Sequence, residues 1–249
     1  MRVIAITAGK GVVGKTTLTA NLGVALTKLG FRVCVVDANF TAPDLATHFG
    51  MYPETTLWDV LKGKESISDA IYEHTCGLHI IPGSSGVEGF KPNIYKRLRR
   101  KIRNLRYDFL LIDTPPGLGE DAKAALLAAN EVLIVANPEW TSLANAYRMM
   151  QFAINNGKKI TGVVLNRTMV HEYEPNERMV ESIMGVQIVG KIPEDVNVRK
   201  SIAVQSPIVL LYPDAPASRE ILHIAMELGG IERPAGKSLL RKIIEFLGL

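Results

Sequence analysis

The chain has 249 residues, of which 47% are hydrophobic, 22% charged and 6% aromatic. This composition excludes disordered, collagen-like and coiled-coil proteins, and the length is sufficient to bury a full-sized core. The 29 basic and 25 acidic residues give a formal net charge of +4. Such a mild excess does not by itself select a lipid, a nucleic acid or a nucleotide as partner.

The two cysteines, Cys34 and Cys76, are far apart and form no CxxC motif. This spacing does not support a disulfide framework, a zinc site or a cysteine-ligated iron–sulfur cluster within one chain. The apolar residues 1–8 end at Gly9-Lys10, too early for the core of a signal peptide, and no run approaches a bilayer-spanning length. We therefore expect a cytoplasmic protein.

Short runs rich in Val, Ile and Leu recur along the chain, separated by longer stretches with helical spacing. The runs are continuous and not alternating, which is typical of strands buried on both faces of a parallel sheet. They cover residues 3–7, 33–36, 78–81, 109–112, 132–136, 161–165 and 188–191. Alternation of strand and helix predicts an α/β fold with a doubly wound, mainly parallel sheet and helices on both faces.

A phosphate-binding motif directly follows the first predicted strand. Residues 9–16 read G-K-G-V-V-G-K-T, which matches the pattern G-x-x-x-x-G-K-[ST]. Its glycines let backbone N–H groups surround phosphate oxygens, and the helix beginning near Thr16 adds its positive end. Lys15 is predicted to reach the β- and γ-phosphates, and the Thr16 hydroxyl to help hold Mg²⁺.

Two carboxylates follow other buried strands. Asp113 ends the run Phe109-Leu110-Leu111-Ile112 and precedes Thr114-Pro115-Pro116-Gly117, and Asp37 ends the run at 33–36. The carboxyl ends of strands line the ligand crevice of a doubly wound sheet. Asp113 is predicted to bind Mg²⁺ or its water, and the Gly117 N–H to contact the γ-phosphate.

These segments together resemble the deviant Walker A ATPases, a family that includes MinD, ParA and the nitrogenase iron protein. Lys10 occupies the place of that family's extra signature lysine, which reaches the partner's phosphates across an ATP-bound dimer. Asp37 matches the switch I carboxylate, and residues 113–117 match switch II. The resemblance implies an ATPase with ATP/ADP and Mg²⁺ as cofactors, closest to the MinD type.

The resemblance also assigns the site residues. The stretch around Asn166 and Arg167 resembles the one whose Asn binds adenine, and residues 192–195 resemble the strip along the other side of the base. The catalytic residues are then Lys10, Lys15, Asp37 and Asn39, and the metal ligands Thr16, Asp37 and Asp113. The nucleotide-binding residues are Gly9, Lys10, Gly11, Val12, Val13, Gly14, Lys15, Thr16, Thr17, Gly117, Asn166, Arg167, Pro193, Glu194 and Asp195.

Two positions depart from the family pattern. Val12 stands where the second glycine of K-G-G is usual, so a positive φ there costs roughly 1–3 kcal/mol of strain. Asn39 stands where many relatives have the second Asp of D-x-D. Because an amide can position a water but cannot accept its proton, we predict slow hydrolysis. A nucleotide-binding regulatory module with negligible turnover is the corresponding alternative.

The last thirteen residues have the pattern of an amphipathic helix. At about 100° per residue, the apolar side chains of 237–249 fall within an arc of roughly 160°, and the basic ones fill the rest. Packing on the protein's own domain is the alternative to lying in an anionic membrane interface. The preceding Gly/Pro-bearing linker and the resemblance to MinD favour the membrane. We predict an ATPase domain at 1–229, a linker at 230–236 and a membrane-targeting helix at 237–249.

A basic segment covers residues 96–106, where Leu98, Ile102 and Leu105 have the spacing of a buried helical stripe. The basic residues are then a solvated face, or alternatively a phosphate-contacting patch for DNA or anionic lipid. The combined prediction is a MinD-like switch that forms an ATP-dependent homodimer and binds the membrane reversibly. It would act in cell division or spatial positioning with an activating or cargo protein, and a ParA-like DNA partition ATPase is the alternative.

Overall fold

The structure is a computed structural model that describes residues 1–84, 94–169 and 173–232. Eight strands form one sheet in the order β3-β4-β2-β5-β1-β6-β7-β8. The strands are β1 Arg2–Thr7, β2 Val33–Asp37, β3 Tyr72–Glu73, β4 His79–Ile81, β5 Phe109–Asp113, β6 Glu131–Ala136, β7 Lys159–Thr168 and β8 Ile188–Pro193. All seven predicted runs are strands, and the pairs among them are parallel.

The short edge strand β3 was not predicted from the sequence. It consists of two residues and pairs antiparallel with β4 across a tight turn. Two residues cannot carry a hydrophobic period, so the sequence holds no signal for this strand. The predicted doubly wound, mainly parallel sheet is therefore confirmed, with one antiparallel strand at its edge.

Helices cover both faces of the sheet, as predicted. They are α1 Lys15–Lys28, α2 Leu57–Lys62, α3 Ile94–Ile102, α4 Glu120–Ala128, α5 Trp140–Asn155, α6 Glu177–Met184, α7 Val196–Ala203, α8 Ile208–Leu211 and α9 Pro216–Gly229. Short 3₁₀ turns lie at Ala46–Phe49 and Ser68–Ala70. Among the described residues, no helix is long and apolar enough to cross a bilayer.

Alternate residues of each central strand enter different cores. Ile4 and Ile6 of β1 pack against α1, α8 and α9, whereas Val3 and Ala5 pack on the other face with α2, α3 and α4. A third cluster joins β6 and β7 to α4, α5 and α6. Because a strand side chain points alternately to each face, a strand covered on both faces must be apolar throughout. This explains the continuous apolar runs in the sequence.

The buried stripe predicted for the basic segment lies on α3. Leu98 and Ile102 are buried, Leu105 is half-buried, and most of the basic residues around them face the solvent. Helix α5 packs on the sheet through Leu143, Ala146 and Met150. The predicted amphipathic helix at 237–249 lies outside the described residues.

Candidate functional site

The loop at residues 8–14 joins β1 to α1 at the carboxyl edge of the sheet, in the middle of the strand order. Gly14 has φ 92° and is the N-cap of α1. A Cβ atom at Gly9 would lie 2.2 Å from the backbone of Asn145 in α5. Side chains larger than hydrogen are therefore excluded at both positions. The loop backbone packs closely against α5 at Gly9 and turns directly into α1 at Gly14.

Val12 lies at the tip of this loop with φ 62°, and 83% of its surface is exposed. Val12 therefore has the positive φ that strains a β-branched residue. A β-branched residue is strained in this region by about 1–3 kcal/mol. Solvent exposure leaves Val12 with little packing to offset that strain.

Lys15 is the first residue of α1 and is buried, with 7% of its surface exposed. Among the residues that the structure describes, its ammonium has no salt-bridge or hydrogen-bond partner. Burial lowers the pKa of Lys15, while the negative charges of Asp113 and Asp44 oppose that shift. A buried cation with unfilled hydrogen-bonding capacity fits a polyphosphate ligand.

Asp113 ends β5 beneath the loop and is held by two threonines of α1. The Thr16 hydroxyl donates to Oδ2 at 2.7 Å, and the Thr19 hydroxyl approaches Oδ1 at 3.3 Å. Burial raises the pKa of Asp113, against the effects of the Thr16 hydroxyl and of Lys15. The motif predicts Thr16 at this site but not Thr19, which lies one helical turn from Lys15 on the same side of α1.

Asp37 ends β2, the strand next to β5, and its carboxylate is also fully buried. Its oxygens accept hydrogen bonds from the backbone N–H groups of Asn39 and Leu45, at 2.9 and 3.1 Å. Burial and, secondarily, the negative charge of Asp113 raise the pKa of Asp37 well above its usual range. Two buried carboxylates next to a hydroxyl provide the hard oxygen donors that Mg²⁺ prefers.

The Asn39 side chain forms hydrogen bonds within its own loop. Its Nδ2 donates to the Ala42 carbonyl at 2.7 Å, and its Oδ1 accepts from the N–H groups of Thr41 and Ala42 at 3.3 and 3.2 Å. This arrangement satisfies the amide by local hydrogen bonds, as is common for Asn in turns. The Asn39 side chain must therefore break some of these loop hydrogen bonds before it can bind and position a water.

A cavity lies beside the loop, between the ends of β7 and β8. The Nδ2 atom of Asn166 donates to the Val13 carbonyl at 2.7 Å and so connects β7 to the phosphate loop. The cavity is lined by Gly14, Thr17, Leu18, Asn166, Arg167, Ile192, Pro193, Glu194, Asp195, Val198, Arg199, Ile202 and Ile221. The structure thus brings together the predicted adenine-side residues and the start of α1.

Asp195 and Arg167 have structural contacts in addition to lining this cavity. The Asp195 carboxylate accepts the N–H groups of Asn197, where it caps α7, and of Ala217 at the start of α9. Arg167 has φ 57°, and its Nε lies 3.8 Å from a Glu194 carboxylate oxygen. Both residues therefore line the cavity and also stabilise the segments that form its wall.

Lys10 differs from Lys15 in its surroundings. Its ammonium lies 3.5 Å from a carboxylate oxygen of Glu139, and half of its side chain is exposed. Glu139 precedes α5 and lies outside the predicted site motifs. Lys10 and Glu139 are far apart in the chain and meet because α5 begins beside the phosphate loop.

Gly117 lies in the loop between β5 and α4 with φ 82°. That loop approaches the phosphate loop, because a Cβ at Gly11 would lie 3.6 Å from the Pro116 side chain. The segments at 9–17, 37–39, 113–117, 166–167 and 193–195 all follow the carboxyl ends of parallel strands. All the predicted site segments therefore meet at one edge of the sheet.

Comparison with known proteins shows the family of the chain. Residues 1–161 match the AAA domain family. The chain is 33% identical to the Pyrococcus furiosus cell division ATPase MinD and superposes with a TM-score of 0.87, covering 92% of this chain and 98% of that one. The chain belongs to the MinD family of P-loop ATPases.

Two further relatives are consistent with this assignment. The structure of MinD from Pyrococcus horikoshii complexed with Mg-ADP is 33% identical, with a TM-score of 0.86 over 91% of this chain and 95% of that one. An ATP-binding protein of Methanocaldococcus jannaschii is 38% identical and covers 93% of this chain and 89% of its own length. This MinD-family protein is an ATPase whose cofactors are ATP, ADP and Mg²⁺.

Proposed function

We propose that this MinD-family ATPase is a switch that dimerises on ATP, binds an anionic membrane as a dimer and leaves it after slow hydrolysis. The observation that carries this proposal is the contrast between two lysines of one loop. Lys15 is buried above Asp113, whereas half of the Lys10 side chain faces solvent. A cation held at the surface of the phosphate loop is accessible to the phosphates of a second copy.

The nucleotide is proposed to occupy the edge of the sheet where the site segments meet. The backbone of residues 9–17 and the Lys15 ammonium hold the phosphates, while Asn166 and Pro193 flank the base. Thr16, Asp37 and Asp113 hold Mg²⁺, which neutralises phosphate charge when it is bound. Bound Mg²⁺ offsets the repulsion between the Asp37 and Asp113 carboxylates. Binding of Mg²⁺ and nucleotide therefore stabilises the folded protein.

Slow turnover is proposed from the state of Asn39. Its amide is engaged by Thr41 and Ala42, and an amide cannot accept a proton from water. Catalysis then rests on positioning and on the charges of Lys10 and Lys15, without a general base at this position. A long-lived ATP state suits a protein that must remain in place before release.

Membrane binding is proposed for residues 237–249, joined by a linker at 230–236 to the ATPase domain at 1–229. One short amphipathic helix binds lipid weakly, in the range of a single myristoyl chain at about 10⁴ M⁻¹. Two such helices on one dimer bind the same membrane, and this avidity multiplies the apparent affinity by roughly 10²–10⁴. Dimerisation on ATP would therefore determine whether the protein is in solution or on the membrane.

The test is sedimentation with anionic vesicles in ATP, ADP or no nucleotide. The full chain is compared with a chain ending at Gly236, with Lys10→Gln and with the matched surface variant Lys200→Gln. We expect only the full chain and Lys200→Gln to pellet, and most strongly in ATP. Pelleting that is unchanged by truncation and by nucleotide would overturn the proposal.

A regulatory module with negligible turnover is the second candidate, favoured by the strain at Val12 and the engagement of Asn39. Phosphate release measured with vesicles present separates the two. ATP-dependent pelleting without any phosphate release would select the regulatory module, since release from the membrane would then need nucleotide exchange.

A further inference from the structure

A buried hydroxyl, that of Thr19, lies beside the proposed Mg²⁺ site and outside the phosphate-binding motif at residues 9–16. Thr19 lies in α1 one helical turn after Lys15, and none of its surface is exposed. A buried hydroxyl costs free energy unless it is hydrogen-bonded. Valine, which is also β-branched, has nearly the same shape and would fill this position without a polar group. A hydroxyl here is therefore expected to have a specific partner.

The Thr19 hydroxyl lies within reach of two acceptors. Its Oγ1 is 3.0 Å from the Lys15 carbonyl oxygen and 3.3 Å from Oδ1 of Asp113. The Lys15 carbonyl already has the backbone N–H of Thr19 as its partner in the regular pattern of the helix. Oδ1 of Asp113 has no other donor among the residues that the structure describes. Asp113 is therefore the acceptor that depends on this hydroxyl.

Thr27, about two turns further along α1, shows what the contact to the helix backbone provides by itself. Its Oγ1 donates to the Gly23 carbonyl at 2.9 Å, which is the same contact to the residue four positions earlier. Threonine hydroxyls commonly make this bond inside helices, where it does not stabilise the helix. Within the described part of the chain, no carboxylate accepts a hydrogen bond from Thr27. The contact to Asp113 is what distinguishes Thr19.

Asp113 is held to α1 through both of its carboxylate oxygens. The Thr16 hydroxyl donates to Oδ2 at 2.7 Å, while Thr19 contacts Oδ1. The torsion that rotates an aspartate carboxylate is broad, so two contacts to one helix restrict it more than one does. Thr16 is itself a proposed Mg²⁺ ligand, whereas Thr19 holds Asp113 without being one. Partners of this kind orient metal ligands, and their loss typically lowers metal affinity by about 10–100-fold.

We propose that Thr19 is a positioning residue for Mg²⁺ binding, whose hydroxyl fixes the Asp113 carboxylate so that Oδ2 stays at the Thr16 hydroxyl. This role rests on the proposed function of Thr16 and Asp113 as ligands. Without the Thr19 hydroxyl, binding of the ion would also have to order the carboxylate. The entropy lost in that ordering reduces the affinity for the ion.

The test is the Mg²⁺ dependence of ADP binding by the full chain, measured by titration calorimetry in EDTA and over a series of Mg²⁺ concentrations. The test variant is Thr19→Val, and Thr19→Ser keeps the hydroxyl. Thr27→Val is the matched control, because it removes the same backbone contact from the same helix. Asp113→Asn, alone and combined with Thr19→Val, completes a cycle that isolates the contact between the two side chains. Far-UV circular dichroism verifies that each variant is folded.

We expect Thr19→Val to raise the Mg²⁺ concentration for the half-maximal effect by about tenfold or more. ADP affinity in EDTA should change by no more than about twofold, and Thr19→Ser and Thr27→Val should stay within about twofold of the wild type throughout. In the Asp113→Asn background, Thr19→Val should have no further effect, because the carboxylate that it positions is absent.

Equal losses of ADP affinity with and without Mg²⁺ in Thr19→Val would overturn the proposal, since Thr19 would then only stabilise the helix. An equal change in Thr27→Val would overturn it as well. If Asp113→Asn removes the Mg²⁺ effect and Thr19→Val leaves it intact, Thr19 has no positioning role and the proposed metal site stands. If neither variant alters the Mg²⁺ effect, the proposed metal site fails together with the role of Thr19.

Discussion

Asp37 and Asp113 are register partners in the neighbouring parallel strands β2 and β5, and neither side chain is exposed. Adjacent strands lie about 4.8 Å apart, so the site brings two carboxyl groups together in a desolvated environment. Lys15, whose charge opposes the raised pKa of Asp113, is itself buried. The pair is therefore an electrostatic cost to the folded protein that a divalent cation relieves.

The first prediction concerns Asp113→Asn. An Asn side chain keeps both contacts at this position, since the Thr16 and Thr19 hydroxyls can accept as well as donate. We expect the nucleotide-free variant to be more stable by on the order of 1 kcal/mol, or a rise in Tm of about 2–4 °C. The same change should abolish Mg²⁺-dependent nucleotide binding. Thermal unfolding with and without Mg-ADP measures both effects, and the exposed Asp214→Asn is the control.

The stability difference should also depend on pH. The raised pKa values mean that the folded state holds protons that the unfolded chain has already released above about pH 4. The contribution of these two carboxyl groups to the stability of the nucleotide-free wild type therefore falls as pH rises from about 5 to 8, and Asp113→Asn should reduce that fall. A difference between the two proteins that is constant across this range would contradict the electrostatic explanation.

The second prediction concerns Asn39→Asp. The carboxylate keeps the acceptor bonds from Thr41 and Ala42 but cannot donate to the Ala42 carbonyl, so the loop loses about 1 kcal/mol. A weakened loop frees the side chain to face the site as a proton acceptor, and we expect ATP hydrolysis to rise by about tenfold or more. Phosphate release measures the hydrolysis rate, and Asn39→Ala is the control because it loosens the loop without supplying a proton acceptor. An unchanged rate for Asn39→Asp would show that Asn39 does not limit turnover.

The third prediction is that Val12→Gly stabilises the folded protein. Glycine removes the strain at φ 62°, and little packing is lost because Val12 is 83% exposed. Part of the gain is offset by the greater entropy of glycine in the unfolded chain, so we expect the free energy of unfolding to rise by about 0.5–2 kcal/mol. Denaturant unfolding of the nucleotide-free protein measures this gain. Val204→Gly, at an exposed position with φ −100°, should give no gain. A similar gain in both variants would exclude relief of strain at Val12.

The fourth prediction tests the connection between β7 and the phosphate loop. Asn166→Ala removes the donor to the Val13 carbonyl and should weaken ADP binding by about tenfold or more, with a smaller loss of stability. Asn166→Asp should be worse, because its carboxylate would face that carbonyl oxygen. Asn156→Ala is the control, since that amide makes only a surface contact to the Phe152 carbonyl. Equal ADP affinity in wild type and Asn166→Ala would separate Asn166 from nucleotide binding.

Local motifs were sufficient to predict much of this protein. Residues 9–16 predict a phosphate loop because this spacing of glycines, lysine and threonine lets the backbone and two side chains surround phosphate oxygens at a helix start. The seven apolar runs predict buried parallel strands, and strands of that kind must place Asp37 and Asp113 at one edge. These features depend on residues close together in the chain, or on a topology that has few alternatives.

Tertiary structure decided the features that depend on distant residues meeting. The Lys10–Glu139 contact, the bond from Asn166 to Val13 and the role of Thr19 each join segments whose separation in the chain carries no periodic signal. The engagement of Asn39 and the positive φ of Val12 depend on how each loop closes, which a residue type permits but does not impose. The sequence by itself determined the class of chemistry and the seven parallel strands of the sheet. Packing alone decided which groups are buried, strained or exposed at the site.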